Sequence, residues 1–286
     1  MRLPFTRRDD AEFSDTGEEP QPKKESLLRF LITLAILAWA IRSFLVAPFS
    51  IPSGSMLPKL FVGDYVMVAK WPYGYSRYSF PFGFPSFDGR ILGSLPARGD
   101  VVVFRPPGAE FDFIKRVIGL PGDTVGVRGG TVILNGRPLS RELRGLFPVP
   151  VTPNSRCKVV PPATPMVRQT EDGQACMYPA MRETLPGGKS YLVLDQVDIP
   201  RADEFQPVRV PEGHIFLMGD NRDDSLDSRF DPAEGGIGMV PVENVVGRAM
   251  IIFWSTDGSA SYIKPWTWFT ALRGERMGTN FSGNVE

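Results

Sequence analysis

FSIPSGSMLPKL, residues 49–60, is the stretch around which the chain is organised. Gly54 separates two serines and lets the backbone turn tightly between them, while Pro52 and Pro58 restrict the backbone on either side. Ser55 is therefore presented from a stiff loop, as a nucleophile would be. A nucleophilic serine also needs a base that accepts its proton, so the identity of that base decides the function.

An apolar segment precedes this stretch. Residues 27–46 are twenty positions, about 30 Å of helix, which matches the hydrocarbon core of a bilayer. Arg29 and Arg42 lie near its ends, where long side chains can reach the head groups, and Pro48 is expected to end the helix. We predict a transmembrane anchor over 26–48; a buried core helix and a cleavable signal peptide are the alternatives.

The segment before the anchor indicates how the chain is oriented. Residues 1–25 are polar and of mixed charge, which predicts a disordered tail. Lysine and arginine cluster on this side of the apolar segment, which predicts that the tail is cytoplasmic. The remainder is then exported, and Ser55, seven residues beyond Pro48, would act at the membrane surface. The chain has 32 basic and 32 acidic side chains, so its charge gives no argument for nucleic acid binding.

Short β-branched runs follow the anchor, DYVMVAK (64–70) and DVVVFR (100–105) first. Further strand candidates lie at 112–118, 123–127, 131–135, 190–195, 213–218 and 245–254. A helical period is confined to a short stretch near 266–273. We therefore predict a mainly β fold, a domain of short, largely antiparallel strands over 49–270, followed by a tail over 271–286.

Two segments interrupt these strands. Residues 71–98 are dense in aromatic residues, proline and glycine, which fits a loop packed on the sheet or a collar in the membrane interface. Residues 140–189 are predicted to be an irregular cap or insertion. This region holds the only cysteines, Cys157 and Cys176, which an exported compartment allows to form a disulfide; two free thiols are the alternative. These ligands are too few for a metal, and no cofactor is predicted.

Histidine is not the expected base. His214 is the only histidine and alternates with apolar residues in GHIFLMG (213–219), as a strand side chain does. Lysine is the next choice, and Lys115 in DFIKRVIGLPGD (112–123) is the best candidate. Lys59 and Lys70 border loops and are predicted to be solvated.

The neighbours of Lys115 support this choice. On a strand, Lys115 would share a face with Phe113 and Val117, while Arg116 would point to the other side. Burial on an apolar face would lower the pKa of the amine, because desolvation disfavours the charged form, and so make it a base near neutral pH. The alternative is an ordinary surface lysine.

A third segment is dense in polar residues. MGDNRDDSLDSRFDP (218–232) follows a strand that looks buried, and polar groups in such a place need partners. The segment is therefore either a hydrogen-bonded network that supports a site or a solvated turn.

Three segments together resemble the bacterial type I signal peptidases, serine-lysine endopeptidases that remove signal peptides from exported proteins. The matches are PSGSMLP (52–58), FIKRVIGLPGD (113–123) and MGDNRDDSLDSR (218–229), with RGDVVVFRPP (98–107) in support. They occur in the family's order behind an anchor, and the similarity spans roughly 27–254.

The resemblance implies a role for each matched residue. Ser55 would be the nucleophile and Lys115 the general base. The supporting roles are an oxyanion-hole hydroxyl on Ser53 beside the Ser55 N–H, a lysine-orienting hydroxyl on Ser225, and charged supports at Asp220, Arg116, Asp227 and Arg229. Apolar residues near the dyad are expected to line shallow pockets that admit small residues at positions −1 and −3 of the signal peptide: Phe49, Ile51, Met56, Leu57, Phe113 and Ile114.

The chain departs from the family pattern at two positions. Asp224 stands where the family commonly has asparagine, and His214 stands where an aromatic residue is usual.

The expected partners are secreted preproteins, the lipid bilayer and the secretion translocon. The alternatives are a self-cleaving repressor, a conjugation pilin-maturation peptidase of the serine-lysine type, and a membrane-anchored domain that binds without cutting. A repressor would need a DNA-binding domain where this chain has its apolar segment, and peptide turnover separates an enzyme from a binding domain.

Overall fold

The computed structural model describes residues 27–161, 164–171, 173–261 and 263–281. The predicted disordered tail over 1–25 lies outside these residues. The chain divides into two units after Ala38, and the second unit contains every strand.

The helical part of the apolar segment is shorter than predicted. Helix α1 spans Leu27–Ala40, and a π-helical turn continues it over Ile41–Leu45. Together they form one stretch of 19 residues with a mean hydropathy of 1.8, long and apolar enough to cross a membrane. The prediction that Pro48 ends the helix is wrong, because the helical turn already ends at Leu45, three residues before Pro48. It lies inside the first strand, which is at the sheet edge, where proline is tolerated.

The π-helical turn is joined to the residues after it by hydrogen bonds. The Lys70 backbone N–H donates to the Leu45 carbonyl at 2.9 Å, and the Tyr75 hydroxyl donates to the Phe44 carbonyl at 3.0 Å. The Phe44 and Tyr75 rings also form a T-shaped contact, with centroids 5.5 Å apart. The turn is thus fixed to the start of the β domain.

The rest of the described chain is mainly β. The strands, numbered in chain order, are β1 Val46–Ser50, β2 Asp64–Ala69, β3 Val101–Phe104, β4 Phe113–Gly119, β5 Thr124–Arg128, β6 Thr131–Leu134, β7 Arg137–Pro138, β8 Ser140–Pro150, β9 Val167–Thr170, β10 Gly173–Thr184, β11 Ser190–Leu194, β12 Phe205–Arg209, β13 His214–Met218, β14 Val240–Pro241 and β15 Val245–Ser255. The short helices α2 and α3 span Pro200–Asp203 and Thr267–Thr270.

These strands form three sheets. A seven-stranded sheet has the order β1-β2-β15-β3-β4-β13-β14, and two four-stranded sheets contain β11-β10-β8 with β9 beside β10, and β12-β5-β6-β7. The pairings within them are antiparallel. The predicted fold class, mainly β with short antiparallel strands, is confirmed.

Strand β3 explains why the VVVF run is continuously apolar. Successive side chains of a strand point to opposite faces, and all four residues of β3 are buried. Val101 and Val103 join one apolar cluster, with Met56 and Leu60. Val102 and Phe104 join another, on the opposite face. The central sheet therefore has a core on each side, and Met56 and Leu60 attach the serine-bearing loop to one of them.

The prediction that 140–189 is irregular is wrong, because β8 and β10 are long strands of 11 and 12 residues. Val149 is the one buried residue of β8, so no apolar alternation marks this strand. Its prolines lie on a sheet edge, and Pro179 lies just beyond the β10–β11 pairing. Proline is compatible with a strand at such positions.

A buried ion pair joins β10 to the segment that follows β13. The Arg222 guanidinium donates to Glu183 Oε1 at 2.6 Å, and Tyr191 donates its hydroxyl to the same oxygen at 2.6 Å. The Arg222 and Glu183 side chains are 2% and 1% exposed. An ion pair enclosed this fully is costly to break, because the remaining charge cannot be solvated.

We predict that Arg222→Met lowers the free energy of unfolding by about 3–5 kcal/mol, because Glu183 would stay buried without its cation. The double variant Glu183→Met/Arg222→Met should recover most of the loss. Arg201→Met, which breaks the exposed pair with Glu234, is the control and should change stability by at most about 1 kcal/mol. Denaturant unfolding measures all three, and equal losses in Arg222→Met and Arg201→Met would contradict the prediction.

Candidate active site

Ser55 lies in the loop between β1 and β2, and Asn221 holds that loop in place. The Asn221 backbone N–H donates to the Ser55 carbonyl at 3.0 Å, and its side-chain amide donates to the Gly54 carbonyl at 3.1 Å. Asn221 was not predicted as a site residue, although it lies within the polar segment 218–232. Its contacts fix the two peptide groups on either side of the Ser55 Cα.

Lys115 lies in β4, between β3 and β13, and pairs with Val102 of β3. Its Nζ is 2.6 Å from Ser55 Oγ. Lys115 and Ser55 are 4% and 8% exposed, so the contact is shielded from bulk water. The structure thus brings together two residues 60 positions apart in the sequence.

Burial lowers the pKa of Lys115 to about 8, because the charged amine loses its solvation. The carboxylates of Asp227, Asp220 and Asp224 oppose this effect, in that order, and the Arg229 cation reinforces it. An amine with this pKa is present in both the neutral and the charged form near pH 8.

Two ion pairs lie beside the dyad. Arg116, on the opposite side of β4 from Lys115, binds both oxygens of Asp220 at 2.7 and 2.5 Å. Asp227 binds Arg229 at 2.9 Å and accepts the Gly219 N–H at 3.0 Å. All four side chains are buried. The segment 218–232 is therefore a hydrogen-bonded network here, not a solvated turn.

The two supporting serines differ in their contacts. Ser53 is exposed, and its Oγ lies 3.4 Å from Ser55 Oγ. Ser225 is buried beside Lys115 in the same cleft, but its Oγ has no hydrogen-bond partner in the described part of the chain. The hydrogen bond from Ser225 to the lysine therefore stays a prediction.

A cleft of about 530 Å³ opens onto the dyad. Four of the six residues predicted to line the substrate pockets lie in its wall: Phe49, Ile51, Phe113 and Ile114. The other two lie elsewhere. Met56 is buried in the core against β2 and β3, and Leu57 packs against β8 and β10. The wall also includes Phe111, Leu226 and Phe230, which come from segments whose apolar residues show no period in the sequence.

A second group of charges, not predicted from the sequence, fixes the far end of the serine loop. Asp64 is fully buried and accepts the Phe61 N–H at 2.8 Å. Arg276 binds Asp64 at 2.6 Å and also donates to the Lys59 carbonyl at 3.1 Å. Arg273 donates to the Val62 carbonyl at 2.7 Å. Residues near the end of the chain, predicted to be a tail, thus hold the loop that carries Ser55.

The cap region reaches the cleft through one exposed ion pair. Cys157 and Cys176 form a disulfide, with Cα atoms 5.6 Å apart, and Tyr178 donates its hydroxyl to the Lys158 carbonyl at 2.6 Å. The Lys158 amine pairs with Asp224, which lies in the cleft wall. Asp224 therefore places a negative charge in the cleft wall, and its ion pair with Lys158 links the cleft to the cap region.

Lysine burial departs from the sequence prediction at one position. Lys70 is 3% exposed, so the prediction that it is solvated is wrong, because the adjoining strand and loop enclose it. Lys59 is partly buried and lies over the Phe281 ring. His214, in the strand as predicted, is part-exposed and contacts the Glu212 carbonyl at 3.0 Å.

Sequence comparisons with known proteins agree on one family. The family model described as "Signal peptidase, peptidase S26" matches residues 24–254. A "Signal peptidase I" of Rickettsia akari (strain Hartford) is 35% identical over 236 residues, 79% of this chain and 77% of that protein. That of Rickettsia typhi (strain ATCC VR-144 / Wilmington) is 34% identical over 251 residues, 85% and 84%. A crystal structure of a signal peptidase I from Enterococcus faecalis V583 is 26% identical, with a TM-score of 0.28, and covers 54% of this chain and 97% of that one.

We predict that Asp224→Asn lowers the pKa of Lys115 below about 8, because it removes a carboxylate that favours the charged amine. NMR titration of ¹³C-labelled lysine, assigned with Lys115→Met, measures the change. Asp231→Asn is the control, since this exposed carboxylate caps a short turn elsewhere in the segment. A raised or unchanged pKa in Asp224→Asn would contradict the prediction.

Proposed function

Since the chain belongs to the signal peptidase family, peptidase S26, whose members are serine proteases that cleave signal peptides from preproteins, we propose that it performs this cleavage with Ser55 and Lys115. One observation carries the assignment of the pair: Lys115 Nζ and Ser55 Oγ lie 2.6 Å apart, both residues are buried, and both line a cleft of about 530 Å³. His214, the only histidine in the sequence, does not line this cleft, and its ring contacts the Glu212 carbonyl.

In the first step, neutral Lys115 accepts the Ser55 proton while Oγ attacks the carbonyl carbon of the scissile peptide bond. The low pKa of the amine matters here, because only the neutral form has a lone pair to accept the proton. The Ser55 N–H and the Ser53 hydroxyl would donate to the oxyanion that forms. Each such donor contributes roughly 100-fold or more to the rate.

In the second step, the protonated lysine gives its proton to the leaving amine, and the mature protein departs. The acyl group remains on Ser55 as an ester. A water molecule, deprotonated by the same lysine, then attacks the ester and frees the signal peptide. Ser225 is proposed to orient the amine through these exchanges, which the position of its unpartnered Oγ in the cleft allows.

The supporting charges are proposed to act through the lysine rather than on the substrate. Asp227 and Asp220 are held by Arg229 and Arg116, so their negative charges stay at fixed positions near Lys115. They keep the pKa of the amine from falling further on burial. An amine with a much lower pKa would be a weaker base for the serine hydroxyl.

Substrate selection is proposed to come from the cleft wall. Phe49, Ile51, Phe113 and Ile114 present apolar surface close to the dyad, and an extended peptide would lie along them. Shallow pockets among these side chains would admit small residues at positions −1 and −3 of the signal peptide. Met56 and Leu57 have no part in this proposal.

The membrane placement is also a proposal. The helical stretch Leu27–Leu45 would anchor the chain in the bacterial inner membrane, with the amino terminus cytoplasmic and the catalytic domain outside. Exposed Trp71, Phe82 and Phe84 in the aromatic loop support contact with the bilayer interface. Association with the secretion translocon would bring preproteins to the same surface.

We predict that Ser55→Ala and Lys115→Met each abolish cleavage of a preprotein by the detergent-solubilised full-length chain, while both variants remain folded. Each change removes one partner of the proton transfer and little volume. Lys59→Met and His214→Gln are the matched controls and should cleave at the wild-type rate. Cleavage is followed by gel shift, and the cut site by mass spectrometry of the mature product.

Two results would overturn these assignments. Near-normal cleavage by Lys115→Met would mean that another group is the base. If the wild type itself never cuts a preprotein, the pilin-maturation and binding-only alternatives would replace the proposed function, and incubation with a pro-pilin would separate them.

We also predict that kcat/KM for preprotein cleavage rises with pH through about 8 and then levels off. The folded pKa of Lys115 is depressed, so the neutral amine becomes the main form above that value, and activity should fall about tenfold per pH unit well below it. A rate profile from pH 6 to 10, with Lys59→Met as the control, tests this. A midpoint near 10.5 would show that the reacting lysine is not the buried one.

A further inference from the structure

A small cavity of about 100 Å³ lies beside the active-site cleft, and its lining carries an excess of positive charge. Three cationic side chains reach it, those of Arg42, Lys70 and Arg105, together with one carboxylate, that of Asp112. The volume corresponds to about three water molecules, close to that of one phosphate group.

Lys70 is the most buried of the three cations. It is 3% exposed, and its Nζ makes no hydrogen bond or ion pair with any described residue; it lies 5.8 Å from the centroid of the Phe49 ring. Burial lowers the pKa of the amine to about 8. The cations of Arg42, Arg105 and Arg90 lower it further, while Asp112 opposes them. A buried amine of this kind normally has an anionic partner.

Asp112 does not supply that partner. Its Oδ1 binds the Arg105 Nε and Nη2 atoms, each at 2.9 Å, so this carboxylate balances the charge of Arg105. Arg42 makes no ion pair within the described ranges. The net excess of two positive charges therefore belongs to Lys70 and Arg42.

The position of the cavity indicates where an anion would come from. Arg42 lies in the π-helical turn that ends the apolar helix at Leu45. Phe82, which also lines the cavity, is fully exposed, and Phe84 is 73% exposed. Exposed aromatic rings beside basic groups are typical of the level at which lipid head groups lie.

We propose that this cavity binds the phosphate of an anionic phospholipid head group, with Lys70 and Arg42 as its charged donors. Charge-assisted hydrogen bonds to phosphate would supply the partner that Lys70 lacks. The inference goes beyond peptide cleavage and rests on the proposed membrane anchoring. Phe49 and Asp112 line both this cavity and the substrate cleft, so the bound lipid would lie against the wall of the active site.

The test uses the full-length chain in neutral detergent micelles that contain phosphatidylglycerol or phosphatidylcholine at low mole fraction. Native mass spectrometry gives the affinity for each lipid, and inorganic phosphate is titrated in a separate arm. Wild type should prefer phosphatidylglycerol, and Lys70→Met and Arg42→Gln should each reduce that preference roughly fivefold or more. Lys70→Arg should retain most of it.

Arg77→Gln is the matched control, because Arg77 is a cation of the nearby aromatic loop, 71–98, that does not line the cavity. It should change the preference less than about twofold. Equal affinity of wild type for both lipids, or equal losses in Arg77→Gln and Lys70→Met, would overturn the proposal. Binding of inorganic phosphate as tight as that of the lipid, lost in Arg42→Gln, would replace the lipid with a soluble anion.

Preprotein cleavage in lipid-free detergent, measured on the same samples, separates this inference from the proposed function. Cleavage by wild type without a lipid preference would reject the lipid site alone. Arg42→Gln, which changes an exposed residue, keeps the test decisive if Lys70→Met does not fold.

Discussion

A lysine side chain in water is charged and strongly solvated, and enclosing Lys115 between β3 and β13 removes that solvation. This burial lowers the pKa of the amine, and fixed carboxylates near it oppose that shift. Arg116 and Arg229 hold two of those carboxylates, and Arg222 holds the following turn to Glu183 of β10. The segment between β13 and β14 can therefore be understood as an electrostatic support for one desolvated group.

The serine needs a different kind of support, since its backbone must be placed to within hydrogen-bond distance of the amine. Asn221 fixes the turn at Gly54 and Ser55, while Arg273 and Arg276 fix its far end through Asp64 and nearby carbonyls. These contacts join the serine loop to residues more than 160 positions away. Lys115 and Ser55 are thus positioned independently. Lys115 is fixed by burial in a strand, and Ser55 by hydrogen bonds and ion pairs at both ends of its loop.

Much of the fold followed from local patterns, because β-branched runs bounded by glycine and proline mark strands with a buried face. Strand β8 was not predicted, because Val149 is its one buried residue and the strand therefore shows no alternation of apolar and polar residues. The pairing of Ser55 with Lys115 could be predicted because three motifs in order resemble a known family. The apolar strand around Lys115 by itself leaves an ordinary surface lysine as the alternative. Three features could not be predicted, since each depends on segments that meet only after the chain has folded. They are the burial of Lys70, the packing of Met56 in the core, and the ion pairs of Asp64 with Arg273 and Arg276.

The connection between the apolar segment and Ser55 is short. Nine residues, 46–54, lie between Leu45 and Ser55. Five of them form β1, and hydrogen bonds from Lys70 and Tyr75 hold the helical turn before it. If a substrate is retained in the same membrane by its own apolar segment, its binding to this site becomes effectively intramolecular. The effective concentration of that substrate would be high without any new contact, whereas a soluble peptide of the same sequence would lack this advantage.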